Sequence, residues 1–200
     1  MSLKITLTDY GVGNLYSIKR SLENCGAEVT VTSDMSVLKD AECIVFPGVG
    51  AFDKTMERLE PYRSDIQKAA EDGTPMLGIC IGMQIMFEKS AEGTVPGLGI
   101  YEGEVVPVKA EVVPHMGWNE VTSSDALMDG VPDNHFYFAH SYRAEPKDSG
   151  IVIGTADYGE KIPVFFREFN VYGTQFHPEK SSSAGMAFLK NFISFAEGCL

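Results

Sequence analysis

Two short runs in this chain are apolar at every position: Cys43-Ile44-Val45-Phe46 and Met76-Leu77-Gly78-Ile79. A strand with one wet face alternates apolar and polar residues, so an unbroken apolar run reads as a strand buried on both faces. Each run ends in a glycine-containing turn, Pro47-Gly48-Val49-Gly50 after the first and Cys80-Ile81-Gly82 after the second. Helical segments follow at about residues 51–59 and 62–72, closed by Gly73, and a further helix is expected just after Cys80. Residues 4–8 form a strand by composition, broken by Gly11 and Gly13. Asn14 is a candidate N-cap for a helix to about Cys25, with Leu15, Ile18 and Leu22 on one face and Gly26 at its stop. Residues 29–31 are the next strand.

From Ile100 to Phe176 the chain is rich in β-formers, with strands expected at 104–108, 136–138, 151–156, 164–166 and 171–176. A last helix, about 184–196, carries Met186, Leu189, Phe192 and Ile193 on one side. Strands alternating with helices imply an α/β fold: a mostly parallel sheet, helices on both faces, and an antiparallel extension from the later strands. The 200 residues suit one domain, 1–200, with no repeat or long linker. In such folds ligands sit at the carboxyl ends of the strands. The segments after Phe46, Ile79 and Phe176 are those ends.

Charge removes several roles. Acidic residues outnumber basic ones 28 to 16, for a net charge of −12. A polyanion without a Lys/Arg cluster has no electrostatic attraction to nucleic acid or to an anionic membrane surface. No apolar run has the length of a membrane span, and the N-terminus lacks the apolar core of a signal peptide, so the expected compartment is the cytoplasm. Cys25, Cys43, Cys80 and Cys199 show no CxxC spacing, which argues against a zinc ribbon or a disulfide framework. Nothing suggests a metal, and no cofactor is called for.

Gly78-Ile79-Cys80-Ile81-Gly82 has the G-x-nucleophile-x-G form between a buried strand and a helix, the setting of a nucleophile elbow. At a helix N-terminus the aligned amides favour a thiolate, and the Ile81 N–H points where an oxyanion would form. Taken alone, Cys80 is as well read as a small buried residue at a tight turn. Cys25 and Cys43 deserve that reading outright, and Cys199 lies in the tail.

A catalytic thiol needs a base. Of His115, His135, His140 and His177, His177 follows the strand 171–176 at its carboxyl end, on the same edge as Cys80. In an extended segment residues two apart share a side, so Glu179 can touch His177 and set its tautomer. Pro178 restrains the geometry between them. His135 falls in a polar loop and His140 just past a strand, which fits blander roles. Gly48, Val49 and Gly50 suit an oxyanion loop with free amides, or an ordinary strand-to-helix turn. Gly11-Val12-Gly13 is a weak nucleotide-loop candidate, because Tyr16 stands where a third glycine belongs.

Together, Cys80 in its Gly-rich turn, Pro47-Gly48-Val49-Gly50 and His177-Pro178-Glu179 resemble the class I, triad-type glutamine amidotransferases. Within them Tyr10-Gly11-Val12-Gly13-Asn14-Leu15, Pro114-His115-Met116-Gly117-Trp118-Asn119, Tyr137-Phe138-Ala139-His140-Ser141-Tyr142 and His177-Pro178-Glu179-Lys180-Ser181 are similar to the glutaminase subunits of imidazole glycerol phosphate synthases. The resemblance runs from Thr8 to the last helix. It implies a flavodoxin-like fold and hydrolysis of L-glutamine through a γ-glutamyl thioester on Cys80. His177 and Glu179 would complete the triad, with Ile81, Gly48, Val49 and Gly50 at the oxyanion. It further implies that Gln84, Glu92, Ser141 and Tyr142 help bind glutamine, and that the partner is a (β/α)8-barrel cyclase. Asn14, His115, Met116, Trp118, Asn119, Tyr137 and Lys180 match segments that face that cyclase. The alternatives are another triad amidotransferase, a stand-alone cysteine hydrolase of the same fold, and a non-catalytic binding module.

Overall fold

The computed structural model describes residues 2–11, 15–48 and 50–200. Strands β1 (Lys4–Thr8), β2 (Glu28–Thr32), β3 (Cys43–Phe46) and β4 (Met76–Ile79) alternate with helices α1 (Tyr16–Asn24), α2 (Phe52–Leu59) and α3 (Arg63–Glu71). After Cys80 come a single helical turn α4 (Ile81–Gln84) and strands β5 (Phe87–Ser90), β6 (Tyr101–Pro107), β7 (His115–Glu120), β8 (Thr122–Ser123), β9 (His135–His140) and β10 (Tyr142–Pro146). Strands β11 (Val152–Asp157), β12 (Lys161–Glu168) and β13 (Val171–Thr174) precede the last helix, α5 (Ser182–Glu197).

The main sheet has the order β2-β1-β3-β4-β13-β12-β11-β8. Its first five strands pair in parallel, and β12, β11 and β8 add antiparallel partners. The parallel part has the 2-1-3-4-5 order of the flavodoxin-like fold. Side chains alternate between its faces. Ile5, Leu7, Cys43, Val45, Leu77, Ile79 and Tyr172 pack with Ile18 and Leu22 of α1 and Phe188 and Phe192 of α5. Ile44, Phe46, Met76 and Val171 pack with Phe52, Met56 and Leu59 of α2 and Ile66 of α3. In α2 the buried residues fall at helical spacing, Phe52, Thr55, Met56 and Leu59.

Three features differ from the expectation. The helix after Cys80 is one turn, because Phe87-Glu88-Lys89-Ser90 pairs with β6 instead of continuing it. The expected strands near 104–108 and 136–138 lie outside the main sheet: β6 joins β5 and β10, and β9 pairs with β7 as a two-stranded ribbon. Helix α1 starts at Tyr16 after Leu15, and the proposed cap, Asn14, lies outside the described residues. Among the described residues no helix is long and apolar enough to cross a membrane.

Candidate active site

Cys80 leaves β4 with φ 50° and ψ −108°, a conformation that L residues rarely adopt. The surroundings enforce it. Its amide donates to Thr174 O of β13 at 2.6 Å, and its carbonyl accepts from Met83 N at 3.0 Å and Gln84 N at 2.9 Å. The flanking glycines are steric requirements: a Cβ on Gly78 would stand 2.5 Å from Gly82 O, and one on Gly82 would overlap Phe46 O. A single helical turn has little macrodipole, so α4 offers an anion only a weak N-terminal field.

His177 is held from both sides. Its amide donates to Tyr137 O at 2.8 Å, and its carbonyl accepts from Ser181 Oγ at 2.6 Å. That hydroxyl also accepts from Tyr137 N at 2.9 Å. Nδ1 lies 2.8 Å from Glu179 Oε1, with side-chain exposures of only 3% and 8%. The expected contact is present, but a 3-10 turn over Pro178–Lys180 makes it rather than a continuing strand. Burial alone would lower the His177 pKa; hydrogen bonds with Cys80 and Glu179, and their charges, overcome it and raise the value to about 9. With Nδ1 committed to Glu179, Nε2 is left for the thiol.

A cavity of about 210 Å³ opens over the thiol, lined by Gly48, Gly50, Cys80, Ile81, Gln84, Glu92, Ala139, His140, Ser141 and Tyr142. The strand-end loop, the elbow and the residues matched for glutamine thus converge on one space. Val49 lies outside the described residues. Glu92 accepts from Phe52 N at 3.4 Å, and its loop is fastened to α2 by Asp53, which accepts from Thr94 N at 3.0 Å and Val95 N at 3.1 Å. A larger surface hollow of about 710 Å³ along Lys4 and Glu42 has no cysteine or histidine among the described residues that line it.

The ribbon β7–β9 stands beside this cavity. Met116 and Trp118 are exposed, at 64% and 52%, and Tyr137 pairs with Trp118 across the ribbon. Lys180 Nζ sits 5.9 Å from the Tyr137 ring centre. These residues form one outward face. His115 does not join it: the ring is buried, stacked between Phe138 and Tyr158. Asn119 is half-buried and donates to Asp157 O at 2.8 Å. Asn14 again lies outside the described residues. Cys25 and Cys43 sit in or against the core, and Cys199 is exposed in the tail. His135 opens β9 and bonds Asp133 at the surface.

Two residues escaped the sequence reading. Gln175 is fully buried and reaches Cys80, and His140 lines the cavity. Gln175 stands two positions before the base, but nothing in its neighbours distinguishes it from strand filler. Among the described residues no group of three or more His, Cys, Asp or Glu is arranged to hold a metal.

A strained cysteine elbow with a buried His–Glu pair, on a parallel sheet of this order, defines a class. The family model of class-I glutamine amidotransferases matches residues 6–195, and the chain belongs to that family. Among curated proteins it is similar to the imidazole glycerol phosphate synthase subunit HisH of Halobacterium salinarum, 45% identical over 96% of this chain and 93% of that one. The subunit of the same name from Acinetobacter baylyi is 44% identical over 96% of this chain and 98% of its own length. Among solved structures a glutamine amidotransferase superposes with a TM-score of 0.77 at 19% identity, covering 96% of this chain and 98% of that one. PurLQS from Thermotoga maritima gives 0.74 at 19% identity, with 98% and 99% covered. At that identity the structural likeness speaks for the fold alone.

Proposed function

We propose that the chain is the glutaminase subunit of an imidazole glycerol phosphate synthase, hydrolysing L-glutamine and handing the ammonia to a (β/α)8-barrel cyclase. The observation that carries the chemistry is Cys80 on the wall of a cavity of about 210 Å³, with the buried His177–Glu179 pair as its base. The thiolate of Cys80 adds to the side-chain amide carbon of glutamine. The amides of Ile81 and of the Gly48–Val49–Gly50 loop receive the negative charge on oxygen. The imidazolium of His177 gives its proton to the departing nitrogen, so ammonia leaves and a γ-glutamyl thioester remains. His177, now neutral and oriented by Glu179, takes a proton from water. The hydroxide attacks the thioester carbonyl, releasing glutamate and restoring the thiolate. Gln84, Glu92, Ser141 and Tyr142, around the same cavity, are the candidates for holding the amino acid.

The partner rests on the relatives being subunits of a synthase, and on the exposed Met116–Trp118–Tyr137–Lys180 face beside the cavity. Aromatic anchors on such a face suit a protein partner. The cyclase would use the ammonia on a ribulosyl aminoimidazole carboxamide nucleotide, giving imidazole glycerol phosphate and an aminoimidazole carboxamide ribotide in histidine biosynthesis. A soluble biosynthetic enzyme of this kind works in the cytoplasm. Glutamate release is measured with the chain alone and with its cognate cyclase plus nucleotide ligand. Stimulation that disappears in Cys80→Ala supports the reading. Equal rates with and without the cyclase make the chain a stand-alone hydrolase instead.

A further inference from the structure

A chain of hydrogen bonds joins the nucleophile to the ribbon, and carbonyl groups fix the sense of every link. Tyr142 O can only accept. It receives His140 Nδ1 at 2.7 Å and Gln84 Nε2 at 3.2 Å. The Gln84 nitrogen also meets Gln175 at 3.1 Å, so the Gln175 atom facing it is the acceptor Oε1. Gln175 Nε2 therefore points the other way, and donates to Cys80 Sγ at 3.5 Å. In the other direction, His140 carries its proton on Nδ1, so its Nε2 accepts from His115 Nδ1 at 3.0 Å. His115 Nε2 then accepts from Asn119 Nδ2 at 3.2 Å, and that amide's other hydrogen goes to Asp157 O at 2.8 Å. Gln175, Gln84, His140 and His115 are all buried. A buried network with no free rotor and no flipped alternative holds one geometry.

We propose that Gln175 is a positioning residue for the Cys80 thiolate, aimed by an unbroken hydrogen-bond chain that starts at Asn119 on the β7–β9 ribbon. The inference rests on Cys80 being the nucleophile. Beyond what family membership implies, it assigns the work that a one-turn helix does too weakly: an N–H held against the sulfur. A donor to a charged acceptor favours the charged form. The titratable groups facing Cys80 are His177, backed by Glu179, with His140, Glu92 and Tyr142 around the cavity. The ribbon bears the exposed Trp118, so an occupant of that face touches the strand from which the chain starts.

The test is the pH profile of Cys80 alkylation by iodoacetamide, followed by mass spectrometry on the full chain. Gln175→Met keeps the volume and removes the donor. The midpoint of the profile moves up by about one pH unit, as expected for loss of a hydrogen bond to a charged group, while the rate at high pH is retained. Gln175→Glu, which keeps the acceptor for Gln84, moves it at least as far and serves if the Met variant does not fold. His115→Phe keeps the ring stack and cuts the chain at the third residue beyond Gln84, after Tyr142 and His140. It shifts the midpoint in the same direction, and adds nothing when combined with Gln175→Met, the non-additivity expected of one connected network. An unmoved midpoint in the folded Gln175 variants overturns the positioning role. An unmoved midpoint in His115→Phe, or full additivity, overturns the chain. A parent protein in which Cys80 shows no ionisation step overturns the nucleophile itself, a result distinct from either.

Discussion

Gly48 lies flat against the imidazole of His177: a Cβ built on Gly48 would stand 2.7 Å from His177 Cε1 and 3.0 Å from Nδ1. The strand-end loop and the base therefore share a contact surface, and neither moves alone. Gly48→Ala pushes the ring off its line to Cys80. Displacing a catalytic group by a fraction of an ångström to one ångström costs about a hundredfold in rate. Glutamate release falls by about that factor while the thermal midpoint stays near that of the parent. A variant with parental activity would show that the loop yields instead of the ring.

Gly82 tests folding in place of chemistry. Its missing Cβ leaves room for the Phe46 backbone carbonyl, which cannot swing away as a side chain would. Gly82→Ala costs about 3 kcal/mol by overpacking. Urea unfolding followed by circular dichroism reads the loss, and an unchanged midpoint would mean that β3 and the elbow are not so closely seated.

Glu179→Gln keeps the shape and removes the charge behind His177. Proton transfer by a positioned group contributes about 10²–10⁴-fold, and kcat falls by about a hundredfold or more. The same pair affects stability. The His177 pKa is raised to about 9 against an ordinary 6.5. Its stabilisation is therefore fully present below pH 6.5 and is lost as pH rises through 9. The parent's melting temperature falls over that window, and that of Glu179→Gln falls less. Parallel curves would remove the pair from the stability account.

The other buried histidines have the opposite sign. Burial lowers the His115 pKa to about 4; burial outweighs the hydrogen bond to the Tyr142 carbonyl and, with His115 and His177 nearby, lowers that of His140 to about 3. Both are neutral in the fold and charge on unfolding. Their stabilisation is present above pH 6.5 and is lost as pH falls towards 4 and 3. Melting curves between pH 7 and 3 show this decline, and His115→Phe makes it shallower. A parent curve flat to pH 4 would contradict it.

Trp118 is half exposed and contributes little to the core. Trp118→Ala leaves the melting temperature near the parent value and weakens binding to the cyclase by about 2 kcal/mol or more, as a central aromatic anchor does. Calorimetric titration against the cognate cyclase gives the difference. Unchanged affinity would place the partner on another face.

Much of this was legible in the residues themselves, because some physical demands are local. The runs 43–46 and 76–79 are apolar throughout, so they are central strands in any arrangement. Gly78 against Gly82 beside Cys80, and the two-residue offset of His177 and Glu179, mark an elbow and an oriented base through short-range contacts, although Gly82 answers as well to Phe46 of β3. What the sequence could not decide lies in long-range pairing. Whether the chain after Gln84 continues as a helix depends on a β6 partner that arrives after Gly97 and Gly99. Whether Trp118 is core or surface depends on which ribbon face meets the protein, because alternation names two faces without saying which is wet. Gln175 is apart from Gln84 by 91 positions, and His115 from His140 by 25. A hydrogen bond becomes visible only when the fold brings its donor within 3 Å or so of its acceptor, and there the tertiary structure alone made an ordinary glutamine just past β13 the neighbour of the nucleophile.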